Sequence, residues 1–322
     1  MKKRGLILAL AVVVVLGMFF EGGLVSAGLF DWFGKITGKA TSQGTNVSIT
    51  ISGTNAVTIE VFNSTLTGAT VTPTEDTTVA ITFVARVTDA DGYLDINTTS
   101  VKANFTSSGE PVRLNNSCID LSQNTTTAKN FSCTVSMWYF DKIAAWTITA
   151  AAVDLGNLTY VQNNTMVFNY AQLQALQMSP NSLTWASVSQ SQTNKTSTND
   201  PSLINNTGNY NFTNLSVTGR DLYNSPGTSY LGVGNFSVGN NTGSNAECDT
   251  SPAVNNATVL SNATLIQIKQ TILSRGNHSV NDGSTGQEQL YYCLLSVPSN
   301  LPSGSYATTN SPSSAWTITG TL

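Results

Sequence analysis

The sequence contains few of the side chains on which most enzymes depend. Its 322 residues include one histidine, His278, and four cysteines. A Ser-His-Asp or Cys-His catalytic unit would have to use His278. This residue lies inside the sequon 277–279, which predicts an exposed loop and a solvated side chain. The cysteines have no C-x-x-C spacing, so a zinc site is not indicated.

Other signatures of catalysis are absent as well. Glycosidases need only two carboxylates at a defined separation, but no acidic pair stands in a recognisable catalytic context. The glycine-rich segment 232–239 lies between strand-like runs and precedes no helix, unlike a phosphate-binding loop. The sequence therefore predicts no catalytic and no cofactor-binding residue, and we expect a protein that is not an enzyme.

Charged side chains are scarce too. They make up 10% of the chain, whereas an ordinary soluble domain has about 25%. The net charge is −4 and becomes about −6 when the basic leader described next is removed. An acidic surface repels phosphate groups, which argues against a nucleic acid partner.

The first 27 residues are typical of a leader for export. Lys2–Arg4 are basic, Leu6–Phe20 are uniformly apolar, and Val25–Ala27 give the small-residue pattern that a signal peptidase cleaves. We therefore predict a signal peptide at 1–27 and an extracellular, cell-surface location.

Two other interpretations of this leader stay open. The apolar stretch approaches the roughly 20 residues of a membrane-spanning helix, so it could remain as an uncleaved anchor, although Glu21 interrupts it. In addition, Arg4–Ile7 are similar to the archaeal prepilin cleavage pattern, which would make the chain a pilin-like subunit.

A short amphipathic segment, 28–45, follows the leader. On a helix its charged residues Asp31, Lys35 and Lys39 oppose an apolar arc of about 160°. Such a segment can lie in a membrane interface and tether the protein. Packing on the first domain, or fraying, is the alternative, since a helix of about 12 residues is marginal alone. The predicted membrane-interface residues are Leu29, Phe30, Trp32, Phe33 and Ile36.

Asparagine sequons, in contrast, are abundant. Chance placement among 33 asparagines and 81 serines and threonines would give about 8 of them, whereas the chain has 18. This excess predicts N-glycosylation and a solvated exterior. The acceptors are Asn46, Asn63, Asn97, Asn104, Asn115, Asn124, Asn130, Asn157, Asn163, Asn194, Asn205, Asn211, Asn214, Asn235, Asn240, Asn256, Asn262 and Asn277.

Four cysteines in an exported chain predict two disulfides. We favour Cys118 with Cys133 and Cys248 with Cys293, because each pair then lies within one of the two domains described next. Strand parity places Cys133 and Cys293 on core-like faces. The first disulfide is expected at the end of its sandwich, not between its sheets.

The body of the chain is typical of an all-β protein. Short runs rich in Val, Ile, Thr and aromatic residues alternate with turn residues. Seven such runs between 46 and 170 predict one antiparallel Ig-like β-sandwich. In the first run, Val47 and Ile49 alternate with polar residues and are expected to face the core. A second sandwich is predicted at 171–322, with a Ser/Thr/Asn-rich loop at 187–203.

One acidic cluster, Asp89, Asp91 and Asp95, surrounds a turn after a long strand-like run. Oxygen-rich turns can bind Ca²⁺, but the spacing departs from an EF-hand, since Ser100 stands where the bidentate glutamate would be. The preferred interpretation is a strand-ending turn in which aspartate caps backbone amides and Gly92 supplies a positive φ. A Ca²⁺ site is the alternative, and no other cofactor is expected.

Several segments resemble predicted secreted or cell-surface proteins of small-genome archaea that are built from Ig-like repeats. These segments are "LFDWFGKITGKAT" after the leader, "SCTVSMWYFDKIAAWTITAAAVDLGN", and "SPNSLTWASVSQSQTN" with "NNTGNYNFTNLSVTGRDL". The resemblance covers most of the chain after the leader. It implies an archaeal exterior and a sandwich fold, and it carries no catalytic role and no ligand.

The sequence thus predicts a cell-surface glycoprotein with a structural or adhesive role in the cell envelope. Its expected partners are envelope proteins, glycans or another cell surface, together with the membrane interface at the N-terminus. Two alternatives stay open: a pilin-like subunit that assembles through its apolar N-terminus, and a secreted carbohydrate-binding or carbohydrate-active protein.

Overall fold

The structure is a computed structural model. It describes residues 46–49, 53, 55–62, 66–156, 160–240, 246–251 and 257–321. The predictions for the leader, for the interface residues between Leu29 and Ile36, and for the sequons at Asn63, Asn157 and Asn256 lie outside the described residues. The chain divides into two compact units, Met1–Ile51 and Ser52–Leu322.

The first predicted strand differs from the structure. Residues 46–49 contain no strand, and Val47 and Ile49 are 84% and 81% exposed, so the prediction that they face a core is wrong. A short alternating pattern determines which side chains face the core only when the segment pairs with a neighbouring strand.

The described part of the second unit is all-β, as predicted, with short 3-10 turns and no α-helix. Its first half contains nine strands: β1 Thr58–Phe62, β2 Thr70–Val71, β3 Thr78–Thr88, β4 Lys102–Thr106, β5 Arg113–Asn115, β6 Ile119–Asn124, β7 Ala128–Trp138, β8 Ala144–Ala152 and β9 Val161–Tyr170. Its 3-10 turns are Tyr93–Asp95 and Thr98–Ser100.

The second half contains twelve strands: β10 Leu176–Ser179, β11 Thr193–Thr196, β12 Ser202–Asn206, β13 Asn214–Thr218, β14 Leu222–Asn224, β15 Tyr230–Leu231, β16 Phe236–Gly239, β17 Thr258–Val259, β18 Leu265–Gln267, β19 Gln287–Ser296, β20 Tyr306–Ala307 and β21 Thr317–Thr321. Its 3-10 turns are Val233–Asn235, Ala246–Cys248 and His278–Val280.

Two sheets enclose the core of the first half. One has the order β1-β3-β7-β6 and the other β2-β9-β8-β4-β5. Alternate residues of β3 and β7 are buried because each strand has one apolar face. Rings from both sheets meet in the core, where Phe105 lies 6.0 Å from Phe83 and 5.0 Å from Phe168, centroid to centroid. Pairing is antiparallel except between β2 and β9, which run parallel and depart from the predicted pattern.

The first disulfide joins Cys118 to Cys133, as predicted. Cys133 lies in β7 on the buried face, which confirms the parity argument. Cys118 precedes β6, where the chain crosses from one sheet to the other, and its N–H donates to the carbonyl of Val101 at 2.9 Å. The bond therefore ties this crossing to a strand of the sheet that the chain then enters.

The second half has its own core. Its large sheet has the order β10-β12-β19-β16-β17, with β11 also paired to β19, and a second sheet has the order β18-β13-β21. A small sheet, β15-β14-β20, lies outside these two. The core includes Leu215 and Val217 from β13 together with Leu290 and Tyr292 from β19.

The second predicted disulfide, Cys248 to Cys293, is also confirmed. The predicted face of Cys293 is wrong, however, because the core side of β19 carries the even-numbered residues Leu290, Tyr292 and Leu294. Cys293 is nevertheless fully buried. It is bonded to the 3-10 turn Ala246–Cys248, which contacts β19. A central strand covered on both sides cannot be oriented by parity alone.

The segment predicted as a loop at 187–203 contains one strand and the start of another. Thr193–Thr196 form β11, all four residues of which are exposed, and β12 begins at Ser202. Both strands pair with β19. The polar composition of β11 therefore reflects an exposed strand and not a loop.

A polar joint connects the two halves. Arg275 donates to both carboxylate oxygens of Glu110, at 3.1 and 2.5 Å, and to the Phe140 carbonyl at 2.9 Å. The Asn209 side-chain amide donates to the carbonyls of Asp141 and Ala171 at 3.1 and 2.8 Å. These contacts fix loops of the first half against loops of the second.

His278 also belongs to this joint. Its Nε2 lies 2.6 Å from Oδ1 of Asp76, its side chain is 13% exposed, and its ring lies 5.8 Å from that of Tyr139. The prediction of a solvated loop histidine is therefore wrong. The sequon around it suggested full exposure, but its side chain is covered by residues from more than 130 positions away.

Candidate metal centre

Three aspartates come together at the end of β3. Asp89 directly follows the strand, Gly92 turns the chain with a φ of 118°, and Asp95 ends the 3-10 turn Tyr93–Asp95. One oxygen from each of Asp89, Asp91 and Asp95 lies within 4.8 Å of the other two. The predicted cluster is thus a cluster in space, and the positive φ of Gly92 is confirmed.

Amide groups bind one side of this cluster. The Asp91 N–H donates to Oδ1 of Asp89 at 2.8 Å, which is the predicted capping turn. The Gly53 N–H donates to Oδ2 of Asp95 at 2.6 Å. Asn55 donates to the two oxygens of Asp91 from its backbone and its side chain, both at 2.9 Å. The chain before β1 is therefore held against the turn after β3.

Two of the three carboxyl groups are buried. Asp89 is 0% exposed and Asp95 5%, whereas Asp91 is exposed. Among the described residues, Oδ2 of Asp89 and Oδ1 of Asp95 have no hydrogen-bond partner. Burial raises the pKa of Asp89, and the nearby carboxylates of Asp95, Asp91 and Asp154 raise it further, while its hydrogen bond from Asp91 lowers it. Close like charges with unsatisfied oxygens favour a proton or a cation.

Asp154 also lies near this cluster and was not predicted from the sequence. This residue follows β8 closely, is 1% exposed, and forms an isolated β-bridge with Ile96 next to Asp95. A signal was present in the sequence, because β3 and β8 are each followed within two residues by an aspartate. Using it would have required knowing that the two strands end on the same side of the molecule.

The described sequon asparagines differ in exposure. Five are exposed: Asn46, Asn124, Asn194, Asn211 and Asn262. Nine are half-buried: Asn97, Asn104, Asn115, Asn130, Asn163, Asn214, Asn235, Asn240 and Asn277. Asn205 is buried in β12, where its side-chain oxygen accepts from Gln287 at 2.8 Å. Five of these side chains are therefore open to solvent in the folded protein, whereas that of Asn205 is enclosed.

A second pair of acidic groups lies beside β19 and was not predicted. Asp200 accepts a hydrogen bond from the Tyr292 N–H at 3.0 Å, and Glu247 is 4% exposed. Burial raises the pKa of Asp200 to about 6 against the lowering by this bond, and the charge of Glu247 raises it further. Burial also raises the pKa of Glu247. Asp200 and Glu247 lie far apart in the sequence, so sequence spacing gave no hint of this pair.

A groove of about 1210 Å³ opens between the segments 181–190 and 301–309. Trp185, Tyr306 and Trp316 line it, together with Phe236 at its base. Trp185 and Trp316 pack edge-on against Phe236, with centroids 5.1 and 5.3 Å away. Both indole N–H groups donate to backbone carbonyls, so the rings are fixed while part of their surface stays accessible.

No protein-family model matches the chain, and no curated protein matches it. Within the described residues there is no helix of the length and apolarity that crossing a membrane would need.

Proposed function

We propose that this chain is an exported, glycosylated cell-surface protein with a structural or adhesive role, which acts through surface contacts and not through catalysis. Two disulfides support export, because such bonds persist in oxidising compartments. The low content of charged residues supports a surface kept soluble by sugar.

The fold of the first half supports an Ig-like domain. Its two sheet orders, β1-β3-β7-β6 and β9-β8-β4-β5, correspond to the A-B-E-D and G-F-C-C′ orders of Ig domains. The disulfide departs from that family, since it does not join β3 to β8. Ig-like sandwiches are common in cell-surface proteins, and a second core after residue 171 is what a tandem arrangement requires.

The placement of the sequons carries the proposal. Of the fifteen described sequon asparagines, all except Asn205 keep some exposure. Because the chain carries 18 sequons where about 8 are expected by chance, sugar at these positions would cover both halves. A covered surface suits a protein that spaces and contacts its neighbours in an envelope.

Intact and peptide mass spectrometry of the native protein tests this. We expect a mature terminus at Gly28, no free thiols, and hexose-bearing peptides that contain the exposed Asn124, Asn194 and Asn262. Asn205 is the internal control and should be unmodified. A native protein with every sequon unmodified contradicts the proposal, and a chain that starts at Leu6 indicates a pilin-like subunit instead.

The contact role needs its own assay. Beads coated with the glycosylated protein should bind isolated envelopes saturably, and more than beads coated with an unrelated glycoprotein. Equal binding by both kinds of bead contradicts an adhesive role. Hydrolysis of a polysaccharide that is abolished by one carboxylate substitution would contradict the non-enzymatic role.

The aromatic groove favours carbohydrate binding as a second candidate function. Fixed aromatic rings with accessible surface can stack on sugar rings, and concave apolar sites are the usual place for small ligands. Calorimetric titration with a panel of oligosaccharides tests this. Tyr306→Ala should weaken binding, whereas Tyr230→Ala, which removes a 56% exposed aromatic residue outside the groove lining, should not. Unchanged binding in Tyr306→Ala excludes this groove.

A further inference from the structure

We propose that Asp89, Asp91 and Asp95 bind one Ca²⁺ ion, which fixes Gly53 and Asn55, two residues that precede β1, to the turn after β3. This inference does not depend on the surface role proposed above. It assigns a metal site to the turn that the sequence favoured as a plain capping turn.

The geometry fits a single calcium ion. Calcium binds oxygen ligands at 2.3–2.6 Å, so two oxygens on opposite sides of one ion are about 5 Å apart at most. The three carboxylate oxygens here lie within 4.8 Å of one another. Calcium takes six to eight ligands, so water or backbone carbonyls would complete the shell.

Buried carboxylate oxygens without hydrogen-bond partners indicate that the cluster binds a cation. Oδ2 of Asp89 and Oδ1 of Asp95 have no hydrogen-bond partner among the described residues, although the two residues are 0% and 5% exposed. Each carboxylate has its other oxygen occupied by an N–H donor, from Asp91 and Gly53 respectively. Donors of this kind orient metal ligands from outside the coordination shell.

The surrounding charges favour a cation. The charged groups that act most strongly on Asp89 are the carboxylates of Asp95, Asp91 and Asp154. The ion pairs of the described residues join Arg113 to Asp141, Lys129 to Asp120, Arg275 to Glu110 and His278 to Asp76, and none includes Asp89 or Asp95. Buried carboxylates without a basic neighbour are stabilised by a divalent ion.

Calcium binding would also hold Gly53 and Asn55, which precede β1, in place. Gly53 and Asn55 bond to Asp95 and Asp91, two of the proposed ligands. A Cβ atom at position 53 would collide with the Asp91 carboxylate, so glycine allows this close approach. Because the ion fixes the carboxylates, it also fixes the donors that bind them.

Terbium luminescence and calorimetry on the full chain test the site. Tyr93 lies between two of the ligands and should sensitise Tb³⁺, and Ca²⁺ should displace the Tb³⁺ signal. We expect a Kd for Ca²⁺ of about 0.1–1 mM, as in extracellular modules. Addition of 5 mM CaCl₂ should raise the Tm by about 3–5 °C, and 5 mM MgCl₂ should raise it by less.

Two variants sharpen the test. Asp95→Asn keeps the oxygen that accepts from Gly53 but removes a charged ligand, and it should weaken Ca²⁺ binding at least tenfold. Asp282→Asn changes an aspartate in an exposed turn of the second half and should bind Ca²⁺ like the parent protein. Tyr93→Phe should lose the Tb³⁺ luminescence but keep Ca²⁺ binding in calorimetry. This variant keeps the site testable even if Asp95→Asn fails to fold.

Hydrogen exchange tests the link to the entering chain. With Ca²⁺, the amides of Gly53 and Asn55 should exchange at least tenfold more slowly than without it. A Tm that Ca²⁺ and Mg²⁺ raise equally, or no titratable Ca²⁺ binding in the parent protein, would overturn the site. Binding without slower exchange at Gly53 and Asn55 would overturn the role of fixing this segment.

Discussion

Asp200 and Asp282 show how differently one residue type behaves in two environments of this molecule. Asp200 lies partly buried beside β19, where burial raises its pKa to about 6. Asp282 is fully exposed in a turn, where hydrogen bonds from Thr285 and Ser284 lower its pKa. The first aspartate therefore destabilises the fold when it is ionised, and the second stabilises it.

A pH-dependent gain in stability is expected for Asp200→Asn. Between about pH 4 and pH 6 the folded state holds a proton that the unfolded state has released, so stability falls as pH rises through this window. The variant lacks this loss. It should match the parent near pH 3.5 and exceed it at pH 7 by about 1–2 kcal/mol, since partial exposure screens the effect. Chemical denaturation at both pH values measures the difference.

The control variant, Asp282→Asn, should change stability at pH 7 in the opposite direction. The lowered pKa of Asp282 gives stability that is present at neutral pH and lost on acidification. Asp282→Asn should therefore lower the Tm at pH 7 and leave it unchanged in acid. If both variants gain stability at pH 7, a general effect of the net charge explains the result, and burial of Asp200 does not.

Gly92 gives a second prediction at this scale. Its φ of 118° with ψ of 155° lies in a region that only glycine adopts readily. Gly92→Ala should lower the free energy of unfolding by about 1–3 kcal/mol. Gly109→Asn is the matched control, because its φ of 79° is closer to a conformation that asparagine tolerates and its surroundings are open. Equal losses in both variants would contradict the argument.

Single residues were predictable where the evidence is local. The turn of Asp89, Gly92 and Asp95 spans seven positions, so composition and spacing were enough to find it. Asp154, which follows β8, acts electrostatically on Asp89, and the pairing of Asp76 with His278 crosses 202 positions. Such neighbours follow from the topology, which a single sequence does not reveal.

Among the elements, the two disulfides constrain different lengths of chain. Cys118 and Cys133 are 15 positions apart and tie the crossing before β6 to β7. Cys248 and Cys293 are 45 positions apart and tie a 3-10 turn to the central strand β19. A longer closed loop restricts the unfolded chain more, so the second bond should stabilise more.

Removal of each disulfide tests this order. Replacing Cys118 and Cys133 by alanine should lower the free energy of unfolding by about 3 kcal/mol, and replacing Cys248 and Cys293 by about 4 kcal/mol. Denaturant titration of the two double variants gives both values. A larger loss for the first pair would show that native packing around Cys118 outweighs the effect on the unfolded chain.

The longer strands were predicted, whereas several of the short ones were missed. Strands β3, β7 and β19 have ten or eleven residues, long enough for their composition to identify them. Strands β2 and β20 have two residues each, and their pairing depends on a partner already in place. The parallel pairing of β2 with β9 was unpredictable for the same reason.

At the scale of the whole molecule, the joint determines whether the two halves act together. Its contacts are mainly charged and amide groups, with Glu110 only 6% exposed in its side chain. The strand β3 starts next to this joint and ends at the carboxylate cluster, roughly 33 Å away at 3.3 Å per residue. The cluster and the joint therefore lie at opposite ends of the first half.

Arg275→Ala should loosen the joint, because it leaves Glu110 buried without its partner. We expect a loss of about 2 kcal/mol and, in calorimetry, separation of one unfolding transition into two. Lys129→Ala is the control, since it removes an ion pair with Asp120 inside the first half and should cost less than about 1 kcal/mol. A single transition in Arg275→Ala would show that other joint contacts suffice.

Asn205 has a consequence for the order of events during biogenesis. It is a sequon asparagine buried between β10 and β19 and bonded to Gln287. A sugar can reach it only before β12 is enclosed, and a chain modified at that moment cannot close its sheet. Occupancy at Asn205 would thus mark molecules in which glycosylation preceded folding, so the modified fraction of one peptide in a digest reports how many molecules had that history.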